Sequence, residues 1–307
     1  MRLVFAGTPA VAVPTLRLLA ASHEIAAVVT RPDAPLGRKR ILTPSPVALA
    51  AEEFGLPIIK AARLDAEATE RIAAARPELG VIVAYGGLVK EPLLSTPLHG
   101  WINLHFSLLP AWRGAAPVQR ALIAGDDELG ASVFQLVEAL DAGDVYAARA
   151  FDVPADATAD IALDALAAAG APLTAEVVEA IEAGTAHAQP QTGTVTLAAK
   201  LTLEDGRLDF TRPLNEVYAR FRGVTREPGA HTTVDGARLK ILAAEPGADA
   251  ALAPGLMQGT KDAVLIGTAT SPLAVTRVQP AGKPAMAAAD WWRGRREGEG
   301  EGTVAGS

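Results

Sequence analysis

The sequence predicts an α/β protein with a mostly parallel, doubly wound sheet, followed by a smaller all-β domain. Three observations carry this. Short apolar runs alternate with helical patterns through the first half of the 307 residues. From Thr185 to Glu204 the chain is rich in Thr, Gln, Gly and Ala without helical periodicity. Beyond that stretch, short strand-like runs are separated by turn residues. Alternation of the first kind argues for a parallel sheet, and the third pattern for a barrel-like β domain.

Taken in order, Leu3–Ala6, Ile25–Val29, Pro57–Ile59, Leu79–Val83 and Ile102–Leu104 read as strands, because strands covered on both faces are near-continuous apolar runs. Helical spacing places helices at 10–21, 46–54, 65–75 and 115–124. Gly7-Thr8-Pro9 lacks the spaced glycines of a dinucleotide site, so the fold is Rossmann-like without such a site. Thr8 as cap with Pro9 at the first helical position explains it more simply. Residues 131–137 and 145–153 are β-branched and aromatic runs joined through a Gly-containing turn, a hairpin pattern. An Ala-rich helical stretch follows across 158–183. These elements make one domain over 1–187, with 188–205 as linker. In the second domain, 206–296, strands are expected at Leu208–Phe210, His231–Val234, Arg238–Leu242, Ala263–Gly267 and Ala274–Val278. Asp290-Trp291-Trp292-Arg293 suggests a capped final helix, and the Gly-Glu repeats of 297–307 suggest a disordered tail.

Composition narrows the function classes. Half the residues are hydrophobic and 21% are charged, enough for a proper core. No uncharged apolar run approaches the roughly 18 residues that span a bilayer, and the N-terminus lacks a signal-like segment. Zero cysteines exclude disulfides, thiolate metal sites and a Cys nucleophile. A cytoplasmic monomer with no metal is the expectation. Net charge is −7, awkward for a nucleic-acid binder. Thirteen basic against eleven acidic residues lie in 206–307, however, so local patches decide.

The chemistry-bearing stretch is Asn103-Leu104-His105-Phe106-Ser107-Leu108-Leu109-Pro110. On a strand, residues two apart share a face. Asn103 and His105 therefore emerge together at a strand's carboxyl end, where open α/β sheets bind ligands. An amide can donate to an oxyanion, and an imidazole moves protons near neutrality. The pair suits acyl transfer. Asp141 lies in the hairpin turn, where Asp is common for local reasons, and Asp144 is a rival carboxylate three residues on.

With Phe5-Ala6-Gly7-Thr8-Pro9, Pro44-Ser45-Pro46, Val83-Ala84-Tyr85-Gly86, Trp112-Arg113-Gly114-Ala115-Ala116-Pro117, Leu140-Asp141-Ala142-Gly143 and Gln279-Pro280-Ala281-Gly282-Lys283, this motif resembles the methionyl-tRNA formyltransferases, a branch of the folate-dependent formyltransferases. The resemblance covers nearly the whole chain. It implies transfer of formyl from 10-formyltetrahydrofolate to the α-amine of methionyl-initiator tRNA, and an OB-like fold for the second domain. It puts the catalytic set on Asn103, His105 and Asp141, with a protonated His105 and Asn103 as oxyanion donors. It puts folate contacts on Ser107, Leu108, Leu109 and Pro110. The Gly-containing stretch 83–88 is the candidate wall of the folate slot, through Tyr85 and Gly86. Phe106 departs from the Gly or Pro usual in the family, and its ring is expected to face the core. Arg31–Arg40 carries four cations and one Asp in a Pro/Gly-containing loop on the same carboxyl edge. Arg38, Lys39 and Arg40 are therefore candidate contacts to the tRNA acceptor end. Formyl transfer to an amino sugar or to glycinamide ribonucleotide, hydrolysis of the formyl-folate, and a non-catalytic tRNA-binding role are the alternatives.

Overall fold

A computed structural model describes residues 1–37, 39–248, 251–295 and 302–306. The strands are β1 (Arg2–Gly7), β2 (Glu24–Thr30), β3 (Ala34–Leu36), β4 (Ile41–Thr43), β5 (Ile58–Lys60), β6 (Leu79–Val83), β7 (Trp101–His105), β8 (Arg113–Gly114), β9 (Leu129–Gln135), β10 (Val145–Phe151), β11 (Leu197–Ala198), β12 (His231–Val234), β13 (Ala237–Pro246), β14 (Met257–Gly259), β15 (Val264–Ile266), β16 (Leu273–Pro280) and β17 (Met286–Ala287). The helices are α1 (Val13–Ser22), α2 (Pro46–Glu53), α3 (Ala66–Ala74), α4 (Pro117–Ala124), α5 (Ala159–Glu182), α6 (Leu214–Val224) and α7 (Ala288–Arg293).

Two compact units result, one from 1–117, 128–153 and 163–198, the other from 118–127, 154–162 and 199–307. The first holds a seven-stranded sheet ordered β10-β9-β7-β6-β1-β2-β5. β5, β2, β1, β6 and β7 run parallel, and the β9–β10 hairpin adds two antiparallel strands beside β7. The sequence anticipates every strand of this sheet. The central strands are buried along nearly their whole length, which is why their apolar runs are continuous. α5 is a 24-residue helix apolar enough to cross a membrane by length and composition, and half of that stretch is buried. Leu104 of β7 packs so closely on its Gly170 that a Cβ there would lie 3.0 Å from Leu104.

Three expectations change in the first unit and at its end. The basic segment is not irregular throughout: Ala34–Leu36 (β3) pairs antiparallel with Ile41–Thr43 (β4). Pro35 is tolerated because a two-stranded ribbon leaves one side of each strand unpaired. The stretch read as a linker divides, since residues up to Ala198 belong to the first unit and β11 pairs with β8. Conversely, 118–127 and 154–162 fall within the second unit, where Arg120 pairs with Asp205 at 2.9 Å and Arg226 with Asp160 at 2.9 Å.

The second unit is an antiparallel OB-like sheet ordered β12-β13-β16-β15-β14, with β17 on β16. Register shifts near Ile241 and Ala243 bend β13, as bulges do. Its core joins Val234, Ile241, Val264, Ile266, Leu273 and Val278 to Val217 and Phe221 of α6. α6 itself was not expected, although Leu214, Val217, Phe221 and Val224 have helical spacing. Leu208–Phe210 forms no strand, only an Arg207–His231 bridge beside it. α7 starts one turn earlier than expected, with Ala287 rather than Asp290 at its cap. Of the expected disordered tail, 297–301 and 307 lie outside the described residues. Residues 302–306 are ordered. Val304 bridges Leu256, Thr303 O accepts from Met257 N at 2.9 Å, and Ala305 is 7% exposed. Short apolar side chains and unused backbone groups dock this strip despite its glycines.

Candidate active site

β7 ends at His105, between β6 and β9. Asn103 stands opposite Phe134 and His105 opposite Ser132, so the two side chains share a face at the carboxyl end of the parallel strands. Their surroundings differ. Asn103 is half-buried, and its carboxamide makes no hydrogen bond among the described residues. His105 is 6% exposed, with its ring edge-on to Phe134 at 6.4 Å between centroids.

The ring's tautomer follows from its neighbours. His105 Nε2 lies 2.9 Å from the Trp112 carbonyl, which only accepts, so Nε2 carries the proton. Nδ1 is left facing Asp141 Oδ2 at 3.9 Å. Burial pushes the imidazole below its ordinary value, while the Asp141 charge and the Trp112 carbonyl push it back up. Burial prevails. The imidazole is thus held below its ordinary value, where the sequence, in which burial cannot be seen, led us to expect a protonated ring.

Asp141 sits in the β9–β10 turn with φ 43°, in the left-handed region. Its Oδ2 accepts from Gly114 N at 2.8 Å. Asp144 is exposed, so the carboxylate that meets His105 is Asp141. One short segment serves both members of the pair: Trp112 offers its carbonyl to His105, and Gly114 its N–H to Asp141. Gly114 has φ 126°, and a Cβ there would lie 2.7 Å from Ala198 O. Only glycine fits.

Beside this pair, residues 107–110 form a fixed loop. Ser107 is 4% exposed and donates to Ala111 O at 2.6 Å. Ser132 Oγ donates to Ser107 O at 2.7 Å and accepts from Leu109 N at 3.1 Å. Leu108 and Leu109 are half-buried and Pro110 is buried after a cis peptide bond. Phe106 is 7% exposed, turned inward as expected.

The candidate folate wall differs from its expectation. Tyr85 is 2% exposed, its ring is part of the core with Val29, Ile59 and Trp101, and its hydroxyl donates to Ala61 O at 3.1 Å. The aromatic ring thus lines no open face. Gly86, exposed with φ 75°, has its carbonyl bonded by Arg31, whose guanidinium lies 5.8 Å from the centre of the Tyr85 ring. Of the basic cluster, Arg38 lies outside the described residues. Lys39 and Arg40 are exposed and form no ion pair among the described residues. Their hairpin also exposes Leu36, Ile41 and Leu42 by 62–67%.

Sequence reasoning missed the groups that brace the site from within the supposed linker. Thr196 Oγ1 accepts from Trp112 N at 2.8 Å, and Thr196 O from Arg113 N at 2.9 Å. Gln191 bonds Asp141, Gly143 and Arg113. Their signal was indirect: Trp112-Arg113-Gly114 is a polar-backboned loop next to the site and needs partners.

An amide donor without a partner among the described residues, beside an imidazole–carboxylate pair, is equipped for acyl transfer: one group to meet an oxyanion, two to move a proton. The family described as formyl transferase matches residues 1–178, and the formyl transferase C-terminal domain matches residues 200–296. A methionyl-tRNA formyltransferase of Leifsonia xyli subsp. xyli is 62% identical over 294 residues, 96% of this chain and 97% of that protein. One from Clavibacter sepedonicus is 62% identical over 296 residues, again 96% and 97%. Among solved structures, HypX from Aquifex aeolicus superposes with a TM-score of 0.71 at 18% identity, over 96% of this chain and 48% of that one. The sugar 3N-formyl transferase WlaRD superposes with 0.69 at 14% identity, over 92% and 99%. At such identities the structures establish the fold. The chain belongs to the formyl transferase family, on its methionyl-tRNA formyltransferase branch.

Proposed function

We propose that this chain transfers the formyl group of 10-formyltetrahydrofolate to the α-amine of methionyl-initiator tRNA, with Asn103, His105 and Asp141 as its catalytic residues. The observation that carries the assignment is the Asn103 carboxamide, without a hydrogen bond among the described residues, on the face of the His105–Asp141 pair. Relatives at 62% identity bearing that name support the substrates.

The attacking amine must be neutral, and free α-amines titrate at about 7.7–8.0, so no strong base is needed to start. The amine nitrogen bonds to the formyl carbon, and the carbonyl oxygen becomes an oxyanion to which Asn103 donates. The amine then loses a proton to the neutral imidazole side of the His105–Asp141 pair, with Asp141 steadying the imidazolium that forms. The same proton goes to the folate nitrogen as its bond to the formyl carbon breaks. Nothing is oxidised, and the pair returns to its starting state.

For the folate itself we assign Ser107, Leu108, Leu109 and Pro110, which the Ser132 hydroxyl holds fixed, and the backbone near Gly86 rather than the Tyr85 ring. Arg38, Lys39 and Arg40 are assigned to phosphates of the acceptor end, and 206–296 to the body of the tRNA. Formyl incorporation into methionyl-initiator tRNA, measured with and without 10-formyltetrahydrofolate, tests the reading. Formate release without formylated tRNA would replace transfer by hydrolysis.

A further inference from the structure

We infer that Gln191 is a positioning residue, whose carboxamide fixes Asp141 against His105. The inference rests on the reading of these two residues as the reacting pair. Gln191 Nε2 donates at 2.8 Å to the Asp141 carbonyl and at 2.8 Å to the Gly143 carbonyl. Its Oε1 accepts from Arg113 Nε at 3.1 Å and Nη2 at 2.6 Å. One planar group therefore ties together the two segments that define the Asp141 carboxylate: the turn that carries it, and the strand β8 whose Gly114 N–H holds Oδ2.

Both segments need such a tie. Asp141 is a non-glycine residue in the left-handed region, a conformation that costs roughly 1–2 kcal/mol and persists only where its surroundings enforce it. Gly143 presses on β9 so closely that a Cβ would lie 1.7 Å from Gln135 O. This fixes one end of the turn, and Gln191 bonds the carbonyls on either side of Ala142. Gln191 is itself placed by Gln189, which exchanges two backbone hydrogen bonds with Val145 at 2.8 and 2.9 Å. Among the described residues, the charge acting on His105 is that of Asp141, and across Gln191 lies Arg113. Phe134, Ser132 and the Trp112 carbonyl add no charge. With Gln191 gone, the carboxylate can swing away, and the buried imidazole loses the one charge that favours its protonation.

The full-length protein with Gln191→Met, similar in length but without the amide, tests this. Single-turnover formyl transfer, the KM for 10-formyltetrahydrofolate and the NMR titration of the His105 imidazole are measured. Transfer is expected to slow ~10–100-fold, the range for losing an outer positioning contact. The KM should stay within about twofold, since the folate loop keeps its own bonds, and His105 should titrate at lower pH than in the wild type. Gln191→Asn, which keeps the amide but not its reach, should move both readouts the same way and serves if the Met variant folds poorly. An unmoved His105 titration overturns the inference whatever the rate does, because bracing of the fold alone leaves that titration untouched. A shifted titration with a wild-type rate upholds the positioning and overturns the reading of the pair. Asp141→Asn at wild-type speed would do the latter independently.

Discussion

Removing the Asn103 carboxamide should separate chemistry from folding more cleanly than any other change in the site. Asn103→Ala deletes a group that makes no hydrogen bond among the described residues and is only half-buried. Stability should therefore shift by no more than about 0.5 kcal/mol, the range of substitutions away from cores and networks. In a chain of this size that is about 2 °C of Tm or less. As an oxyanion donor, the same amide should supply ~2.7–4 kcal/mol in the transition state and nothing in the resting enzyme, a loss of ~10²–10³ in rate. His105→Ala provides the contrast. It removes the bond between the ring and the Trp112 carbonyl, which costs roughly 0.5–1.5 kcal/mol of stability on top of the lost chemistry. Single-turnover formylation at saturating substrates, with thermal melting of each variant, reads both quantities. A folded Asn103→Ala protein within tenfold of wild-type rate, or one melting several degrees lower, would mean that the carboxamide serves the fold and that the oxyanion is held elsewhere.

Asp141→Asn should keep folate binding while removing most of the turnover, and Asp144→Asn should be nearly silent; activity in the first and loss in the second would exchange their roles. Stability should also carry a His105 signature. Its folded-state value lies below the ordinary 6.5, so its contribution is full above that value and is lost as pH falls towards the folded one, by at most about 1.4 kcal/mol per pH unit for one proton. Denaturant midpoints at pH 7.5 and 5.5 should accordingly fall less for His105→Gln than for the wild type; equal falls would show that His105 is not depressed. Replacing Arg38, Lys39 and Arg40 together by Ala should weaken methionyl-tRNA binding and flatten its salt dependence by about 0.7–0.9 in slope per lost phosphate contact, with folate affinity unchanged. Parallel salt slopes for the two proteins would leave the hairpin as solvated surface.

The central strands of the seven-stranded sheet were legible because they are buried on both faces and so run as unbroken apolar segments. Asn103 and His105 were legible because a strand's period of two places them on one face. What joins them to Asp141 was less so. That pairing depends on β7 lying against β9, with Asn103 opposite Phe134 and His105 opposite Ser132, a long-range contact that only the family resemblance supplied. Gln191 and Thr196 were hidden for a different reason: polar residues without periodicity read as linker, and their value lies in backbone groups that they satisfy elsewhere. Tyr85 misled in the opposite direction. Glycines on its C-terminal side suggested an open wall, but Gly87 is small because the Tyr85 ring occupies its space, 2.5 Å from where a Cβ would stand. The protonation of His105 could not be read at all, since it is a contest between burial and one carboxylate.

That contest explains why the site is built asymmetrically. A solvent-exposed imidazole would keep its ordinary value and exchange protons with water, whereas one buried without a carboxylate would resist taking a proton at any useful pH. On the proposed reading, Asp141 at 3.9 Å supplies the counter-charge when the attacking amine gives up its proton to a ring that burial holds below its ordinary value. The cost of charging is thereby deferred to the step in which charge develops, and the stabilisation is realised there rather than in the ground state. On the same reading Asn103 complements this from its half-buried position, since a donor already satisfied by the protein would have to break a bond to meet the oxyanion.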